Sequence, residues 1–144
     1  MSSHAARTLV VGDIHGCWDE LLDLLRACER RPDDEVLALG DLVDRGPRPR
    51  EVVRFFRTDP CATALLGNHE DTHLRVRAGE IQHPHDSAVV TRHQLGDAYD
   101  ETLDWFATLP VFAWRHGHLI VHAGFVPGVA LADQPRQALL RGRM

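Results

Sequence analysis

The sequence predicts an α/β fold built on a parallel sheet. Three short apolar segments, Thr8–Val11, Glu35–Leu39 and Ala62–Leu66, each end at a glycine and are each followed by a stretch with helical patterning. A strand–loop–helix unit that repeats in this way is typical of parallel strands joined by right-handed crossovers. The carboxyl ends of the three strands should therefore meet along one edge of the sheet, where open α/β sheets bind ligands.

Three helices are predicted in this first half. Trp18–Arg30 carries leucines at helical spacing, with acidic residues early and arginines late, as the helix dipole favours. Pro49–Thr58 is amphipathic, with one apolar face for the core. A third helix follows the third strand and continues through Arg77.

The second half has weaker patterns. Ala78–Ser87 is predicted to be a loop, and Leu95–Leu109 a helix that ends before Pro110. Val111–Trp114 and Leu119–Val121 flank the turn sequence "RHGH" and predict a β-hairpin. A short helix is predicted near Gln137–Arg141.

Composition restricts the functional classes. A length of 144 residues suits a single domain over residues 1–144, with 44% hydrophobic and 26% charged residues. The net charge of −5 (16 − 21) provides no electrostatic reason to expect nucleic-acid binding. No apolar run approaches the roughly 20 residues that span a bilayer, and the start lacks the apolar segment of a secretion signal. We therefore expect a cytoplasmic protein without a nucleic-acid or membrane partner.

The three cysteines, Cys17, Cys28 and Cys61, are odd in number and match no zinc-binding spacing. We expect reduced, mostly buried thiols of a cytosolic protein. Cys17 lies beside the first polar motif, so oxidation or metal contact at that residue stays open.

Polar residues follow each of four strand ends, beside a glycine. They are Asp13 and His15 in "GDIHG", Asp41, Asp44 and Arg45 in "GDLVDRGP", Asn68, His69 and Glu70 in "GNHE", and His122 in "HAG". Any one of these motifs alone is more typical of a turn than of a site. Together they form a mixed nitrogen and oxygen ligand set that suits Mn, Fe or Zn better than Ca. One carboxylate could bridge two such ions, as in two-metal hydrolytic sites.

The four motifs in this order resemble the calcineurin-like metallophosphoesterases. The form "GDxxDRG" with "GNHE" is similar to the phosphoprotein phosphatase branch, which includes serine/threonine protein phosphatases and symmetrical diadenosine tetraphosphatases. The resemblance covers residues 8–125 well and the tail, 126–144, only loosely. It implies a β-sandwich flanked by helices, in α/β/β/α layers, and a metal-dependent phosphoester hydrolase.

The resemblance also implies roles for the motif residues. Asp13 and His15 would bind a first divalent metal, Asp41 would bridge both metals, and Asn68 and His122 would bind the second. The two ions, supplying about four positive charges, would override the net negative charge and activate a water molecule for attack on phosphorus.

Substrate-binding and catalytic roles follow by the same resemblance. Arg45 would grip phosphate oxygens, since a planar guanidinium binds two at once. His69 would protonate the leaving group while Asp44 orients its ring. In the tail, Arg143 matches a second phosphate-binding arginine, and Arg141 is the neighbouring candidate.

The remaining polar residues near these motifs are expected to be structural or solvated. Glu70 is predicted to cap the helix that follows it. The other histidines are predicted to be mostly solvated; they are His73, His83, His85, His93, His116 and His118.

The chain departs from the family's pattern downstream of His122. The family normally supplies one more histidine to the second metal, but none of the 22 residues after His122 is a histidine. The second sheet should also be incomplete. The chain could be a shortened product or fragment, could use a substitute ligand such as water, or could complete its site or sheet as a homodimer, because exposed sheet edges favour pairing.

Two functional hypotheses remain open. The first is a metallophosphatase acting on a phosphoprotein or a nucleotide polyphosphate, which these motifs do not distinguish because they bind only phosphate. The alternative is a catalytically weak metal-binding or interaction protein derived from the same family, supported by the missing histidine.

Overall fold

The computed structural model describes residues 7–142 and contains a three-stranded parallel sheet of order β1-β2-β3. The strands are β1 (Thr8–Val11), β2 (Glu35–Ala38) and β3 (Ala62–Ala64). Val10 pairs with Leu37, and Leu37 pairs with Thr63, so the three strands run in register. The predicted α/β class and parallel sheet are confirmed.

The two faces of this sheet carry different layers. Helices α1 (Trp18–Ala27) and α2 (Pro49–Thr58) contribute buried apolar side chains to the core on the face of Val36 and Ala38. Both strand residues are fully buried. Burying one apolar face of a sheet under amphipathic helices is the main source of stability for such a layer.

An antiparallel hairpin, β4 (Phe112–Arg115) and β5 (His118–Val121), lies against part of the opposite face. The Arg115 guanidinium donates to the carboxylate of Glu35 on β2, at 2.7–2.9 Å. This hairpin is the second sheet, and it has two strands among the described residues, in agreement with the expected small second layer.

The remaining helices differ partly from the prediction. They are α3 (Asn68–Arg77), α4 (Asp86–Leu95), α5 (Tyr99–Phe106) and α6 (Arg136–Arg141), with short 3-10 turns at Gly96–Ala98 and Leu131–Asp133. The prediction of one helix over Leu95–Leu109 was wrong, because Gly96 adopts φ 56° and interrupts the helical backbone between α4 and α5. Helix α4 was not predicted, because a loop was expected through Ser87 and no element was assigned between Ser87 and Leu95.

Among residues 7–142, every helix is too short or too polar to traverse a lipid bilayer.

Candidate metal centre and active site

The loops after β1 and β2 are joined through their backbones. The N–H groups of Ile14 and His15 both donate to the carbonyl of Asp41, at 3.0 and 2.8 Å. Gly46 N–H donates back to the His15 carbonyl at 2.8 Å. Since parallel strands end at one edge, these bonds hold the first two polar motifs against each other.

Four non-glycine residues of these loops have left-handed backbone conformations. His15, Asp41, Asp44 and Arg45 have φ values of 49°, 52°, 70° and 68°. Positive φ is uncommon for residues with a Cβ and costs free energy, although Asp and His tolerate it better than most. Such conformations concentrate at functional sites, where the surrounding structure enforces them.

The carboxylate of Glu70 enforces the conformation of the loop after β2. It is fully buried and accepts N–H groups from Asp41 and Leu42, each at 2.8 Å, from Gly67 at 3.0 Å and from Val43 at 3.4 Å. The expected capping of α3 is confirmed by the bond from Gly67, the residue that precedes this helix. The bonds to the β2 loop were not predicted. Burial, followed by the charge of Asp41, raises the pKa of Glu70.

Gly67 is required by the close approach of two loops. A Cβ at this position would collide with the backbone nitrogen and a carboxylate oxygen of Asp41. The glycine therefore lets the start of α3 lie directly against the loop that carries Asp41.

The Asp41 carboxylate is at the centre of the site, and its side chain is only 4% exposed. Its Oδ2 lies 3.8 Å from His15 Nε2 and 3.9 Å from His69 Nε2. Its Oδ1 lies 3.6 Å from His122 Nε2 and accepts the backbone N–H of His69 at 3.0 Å. The two oxygens of the Asp41 carboxylate thus lie near different potential metal ligands, with His15 and His69 near Oδ2 and His122 near Oδ1.

Two overlapping groups of potential ligands result. In the first, ligand atoms of His15, Asp41 and His69 all lie within 4.8 Å of one another. In the second, the same holds for Asp13, Asp41 and His122. Asp13 is exposed, and its Oδ2 lies 3.7 Å from His15 Nε2, so it borders both groups. Asp41 is the member that the two groups share.

His122, with Asn68 beside it, lies on the Oδ1 side of the Asp41 carboxylate. His122 follows β5, and its Nδ1 lies 2.9 Å from the carbonyl of Leu39 at the end of β2. A neutral imidazole that donates from Nδ1 has an acceptor at Nε2. That Nε2 faces Asn68 Oδ1 at 2.9 Å and Asp41 Oδ1 at 3.6 Å, so three acceptors converge.

This donor set fits divalent metal ions. Converging acceptors repel one another unless a cation or proton lies between them. His15 directs its Nδ1 to the backbone carbonyl of Val43, and His122 directs its Nδ1 to that of Leu39. In both residues Nε2 is left facing Asp41. Metal-binding histidines almost always use their second nitrogen in this way. Imidazole combined with carboxylate and amide oxygen suits Mn, Fe or Zn.

Arg45 extends over the site from the same loop. Its Nη1 lies 2.9 Å from His15 Nε2, and its Nη2 lies 3.3 Å from His69 Nε2. The side chain is exposed at the open side of the centre and is therefore placed to meet an incoming anion. The His15 lone pair that accepts from Arg45 is the same one that would bind a metal.

Asp44 is buried and binds two imidazoles. Its Oδ2 lies 2.7 Å from His69 Nδ1, and its Oδ1 lies 2.9 Å from His73 Nε2. Burial is the largest influence on the pKa of Asp44 and raises it, but the hydrogen bonds of the two histidines prevail and hold the pKa well below its ordinary value. The hydrogen bond to Asp44 is likewise the main cause that raises the pKa of His69 above its ordinary value.

Other expectations about individual residues have mixed outcomes. His73 was predicted to be solvated, which is wrong: it is 1% exposed, because Asp44 and Tyr99 bind its two ring nitrogens. The five other histidines predicted to be solvated are exposed; they are His83, His85, His93, His116 and His118. The three cysteines are free thiols and only partly buried, rather than mostly buried.

The arginines of the tail do not add to the described site. Arg143 lies outside the described residues. Arg141 Nη2 lies 3.4 Å from Thr72 Oγ1 and 3.9 Å from Asp71 Oδ2, so it binds the first turns of α3.

Two curated proteins similar to this chain have the same name. The chain is 36% identical over 122 residues to "Bis(5'-nucleosyl)-tetraphosphatase, symmetrical" of Janthinobacterium sp. (strain Marseille), covering 83% of this chain and 44% of that protein. It is 42% identical over 138 residues to the protein of that name from Photobacterium profundum, covering 91% of this chain and 49% of the relative. The chain thus spans less than half the length of these relatives.

Solved structures with a similar fold include a candidate diadenosine tetraphosphatase, with a TM-score of 0.77 and 27% sequence identity. The match covers 96% of this chain and 60% of that one. A metallophosphoesterase from Sphaerobacter thermophilus has a TM-score of 0.64 and 28% identity, over 82% of this chain and 46% of the other. The sequence model of the family described as Calcineurin-like phosphoesterase matches residues 6–140. This chain therefore belongs to the calcineurin-like phosphoesterase family.

Proposed function

We propose that the chain carries the phosphate-binding and catalytic centre of a metal-dependent phosphoester hydrolase that holds two divalent cations. The observation that carries this proposal is the sharing of Asp41 by two groups of potential ligands, with His15 and His69 near its Oδ2 and His122 near its Oδ1. Membership of the calcineurin-like phosphoesterase family supports it.

Asp13 borders both groups and is assigned with His15, whose Nε2 lies 3.7 Å from its Oδ2; these two residues and Asp41 would hold one cation. Asn68 and His122, whose ligand atoms lie 2.9 Å apart, would hold the other with Asp41. His69 is left out of the ligand set because its Nε2 is assigned to proton donation. When bound, the two ions neutralise phosphate oxygens and lower the pKa of a water molecule. A carboxylate with one oxygen on each side suits the bridging position, and the neutral amide of Asn68 limits the negative charge.

Three further residues act on the substrate. Arg45 binds two phosphate oxygens and positions the phosphate against the centre. His69 donates a proton from Nε2 to the departing oxygen, because its Nδ1 is engaged by Asp44 at 2.7 Å. Asp44 holds the ring in that orientation and favours the protonated imidazole.

We propose a nucleotide polyphosphate as the substrate, in preference to a phosphoprotein. The support is the name of the two relatives given above, symmetrical bis(5'-nucleosyl)-tetraphosphatase, at 36% and 42% identity. A phosphoprotein substrate predicts turnover of a phosphoserine peptide instead, so the two substrates are compared directly in the test below.

The test measures metal content and hydrolysis separately. Protein stripped with a chelator is reloaded with Mn²⁺, its metal is counted by mass spectrometry, and it is assayed with p-nitrophenyl phosphate, diadenosine tetraphosphate and a phosphoserine peptide. Asp41→Asn should lose both Mn²⁺ and turnover. Asp133→Asn, an exposed acid in a turn outside the site, is the matched control and should lose neither.

The outcomes separate the two hypotheses. Mn²⁺ binding by a folded wild type with no turnover on any substrate would favour the metal-binding or interaction protein. Failure to bind Mn²⁺ would overturn the proposal altogether. Light scattering on the same sample tests the homodimer that an open sheet edge favours.

A second variant tests the role of His69. His69→Asn should retain metal but lose about 10²- to 10⁴-fold in turnover of an alkyl phosphate, the usual contribution of leaving-group protonation. His93→Asn, an exposed histidine of α4, is the control. Unchanged turnover in His69→Asn would show that the assignment of the proton donor is wrong.

A further inference from the structure

We infer that His73 and Tyr99 form a positioning chain, which holds Asp44 and through it the proton-donating His69. This inference rests on the proposed function, since it concerns the same site. His73 was not part of any motif in the sequence, and neither residue is placed to contact the substrate, because both are buried behind Asp44.

The first link is the pair of hydrogen bonds that two imidazoles make to one carboxylate. His69 and His73 are four residues apart on α3, so their side chains lie on the same face of the helix. They bind the two different oxygens of Asp44, at 2.7 and 2.9 Å. Asp44 is 2% exposed, and loss of His73 would leave one buried carboxylate oxygen without this partner.

The second link concerns the hydrogen-bond roles of the two ring nitrogens of His73. An ionised carboxylate only accepts hydrogen bonds, so His73 must donate from Nε2. In the neutral ring, Nδ1 is then the acceptor, and the Tyr99 hydroxyl, 3.0 Å away, is placed to donate to it. The hydroxyl of Tyr99 therefore selects the neutral tautomer of His73 that can bind Asp44.

The Tyr99 end of this positioning chain is held in place by helix packing. Tyr99 begins α5, is 9% exposed, and its ring lies 5.7 Å from the His73 ring in an edge-on arrangement. The guanidinium carbon of Arg92, on α4, lies 5.4 Å from the centre of the Tyr99 ring. The backbone N–H of Asp44 donates to Thr91 Oγ1, also on α4, at 3.1 Å. Two helices outside the motif region thus set the orientation of Asp44.

The leaving group of the substrate distinguishes positioning from simple structural support. A misoriented His69 slows only reactions whose leaving group needs a proton. His73→Leu, which removes both hydrogen bonds, should reduce kcat by about 10- to 100-fold on an alkyl phosphate. On 2,4-dinitrophenyl phosphate, whose leaving group departs unprotonated, the loss should stay below about threefold.

Two milder variants and a control accompany it. His73→Gln keeps a donor for Asp44 and should recover part of the alkyl phosphate activity. Tyr99→Phe keeps the ring and removes the hydroxyl, so it should show the same substrate-dependent pattern with a smaller loss. It should also shift the ¹⁵N resonances of His73 toward a tautomer mixture, which is independent of activity. His93→Leu, on the surface of α4, should change neither activity nor the ¹⁵N resonances of His73.

Each outcome has a defined meaning, with Mn²⁺ content and circular dichroism measured for every variant. Equal losses on both substrates would show that His73 is only structural and overturn the inference, as would no loss on either. If His73→Leu does not fold, Tyr99→Phe and His73→Gln decide the question by the same criterion. A wild type that hydrolyses neither substrate would refute the proposed function instead; the ¹⁵N spectra then decide whether Tyr99 sets the tautomer.

Discussion

Glu70→Gln changes one atom of a fully buried carboxylate that accepts only backbone N–H groups, and its effect can be worked out from the structure. Glu70 Oε2 accepts N–H groups from Asp41 and Gly67, and Oε1 accepts from Leu42 and Val43. The glutamine amide has one oxygen, so its NH₂ must face two N–H donors. Two orphaned N–H groups in a fully buried position, at about 1–3 kcal/mol each, lower the free energy of unfolding by about 2–6 kcal/mol.

Urea unfolding followed by circular dichroism, in chelator, measures this loss directly. The Mn²⁺ affinity, measured by calorimetry on the folded variant, should also fall, because the displaced N–H groups belong to the loop of Asp41. Glu80→Gln is the matched control: Glu80 is a surface partner of Arg75, and its replacement should change stability by no more than about 0.5 kcal/mol. A loss below about 1 kcal/mol in Glu70→Gln, with unchanged Mn²⁺ affinity, would refute the reasoning.

Two further predictions concern Arg45 and Asp34. Arg45→Met removes the guanidinium that competes with a metal for His15 Nε2. Mn²⁺ should therefore bind about three- to tenfold more tightly in calorimetry, while the KM for a phosphate ester rises. Weaker Mn²⁺ binding would contradict this prediction. The Arg7 hydrogen bond holds the pKa of Asp34 below its ordinary value of 3.8, so the stabilisation from this carboxylate is complete above that pH and is lost as the pH falls further. The stability difference between wild type and Asp34→Asn should therefore be constant from about pH 7 to 5 and shrink below about pH 4; an unchanged difference at pH 3 in urea unfolding would oppose it.

The parallel sheet and the edge where the motifs meet could be predicted because both are written in local patterns. Short apolar segments that end at glycine define the strands. Pro49–Thr58 was predicted with the bounds that the structure has, since its apolar face is strongly periodic. Helix α4 was not predicted because its buried positions are Ala88, Thr91 and Leu95, while Val89 and Val90 are exposed. A helix that buries small or polar residues and exposes valines has no apolar stripe to detect.

The environment of His73 could not be predicted for a different reason. Its partner Asp44 lies 29 residues earlier, and Tyr99 lies 26 residues later. The pairing of β2 with β3 brings the loop of Asp44 beside α3, and the packing of α3 against α5 brings Tyr99 to His73. No short-range pattern encodes either contact. The spacing of four between His69 and His73 was the one available signal, since it places both rings on one helix face.

The left-handed backbone at His15, Asp41, Asp44 and Arg45 has a consequence for the way this protein can change under selection. Non-glycine residues in this conformation cost about 1–3 kcal/mol each, and the three Asp and His residues bear less of it than Arg45. A library screened for heat resistance alone should accumulate Arg45→Gly early, because glycine relieves the strain without moving the chain. A screen that also demands hydrolysis should retain the arginine, so the frequency of glycine at this one position would report which demand was imposed.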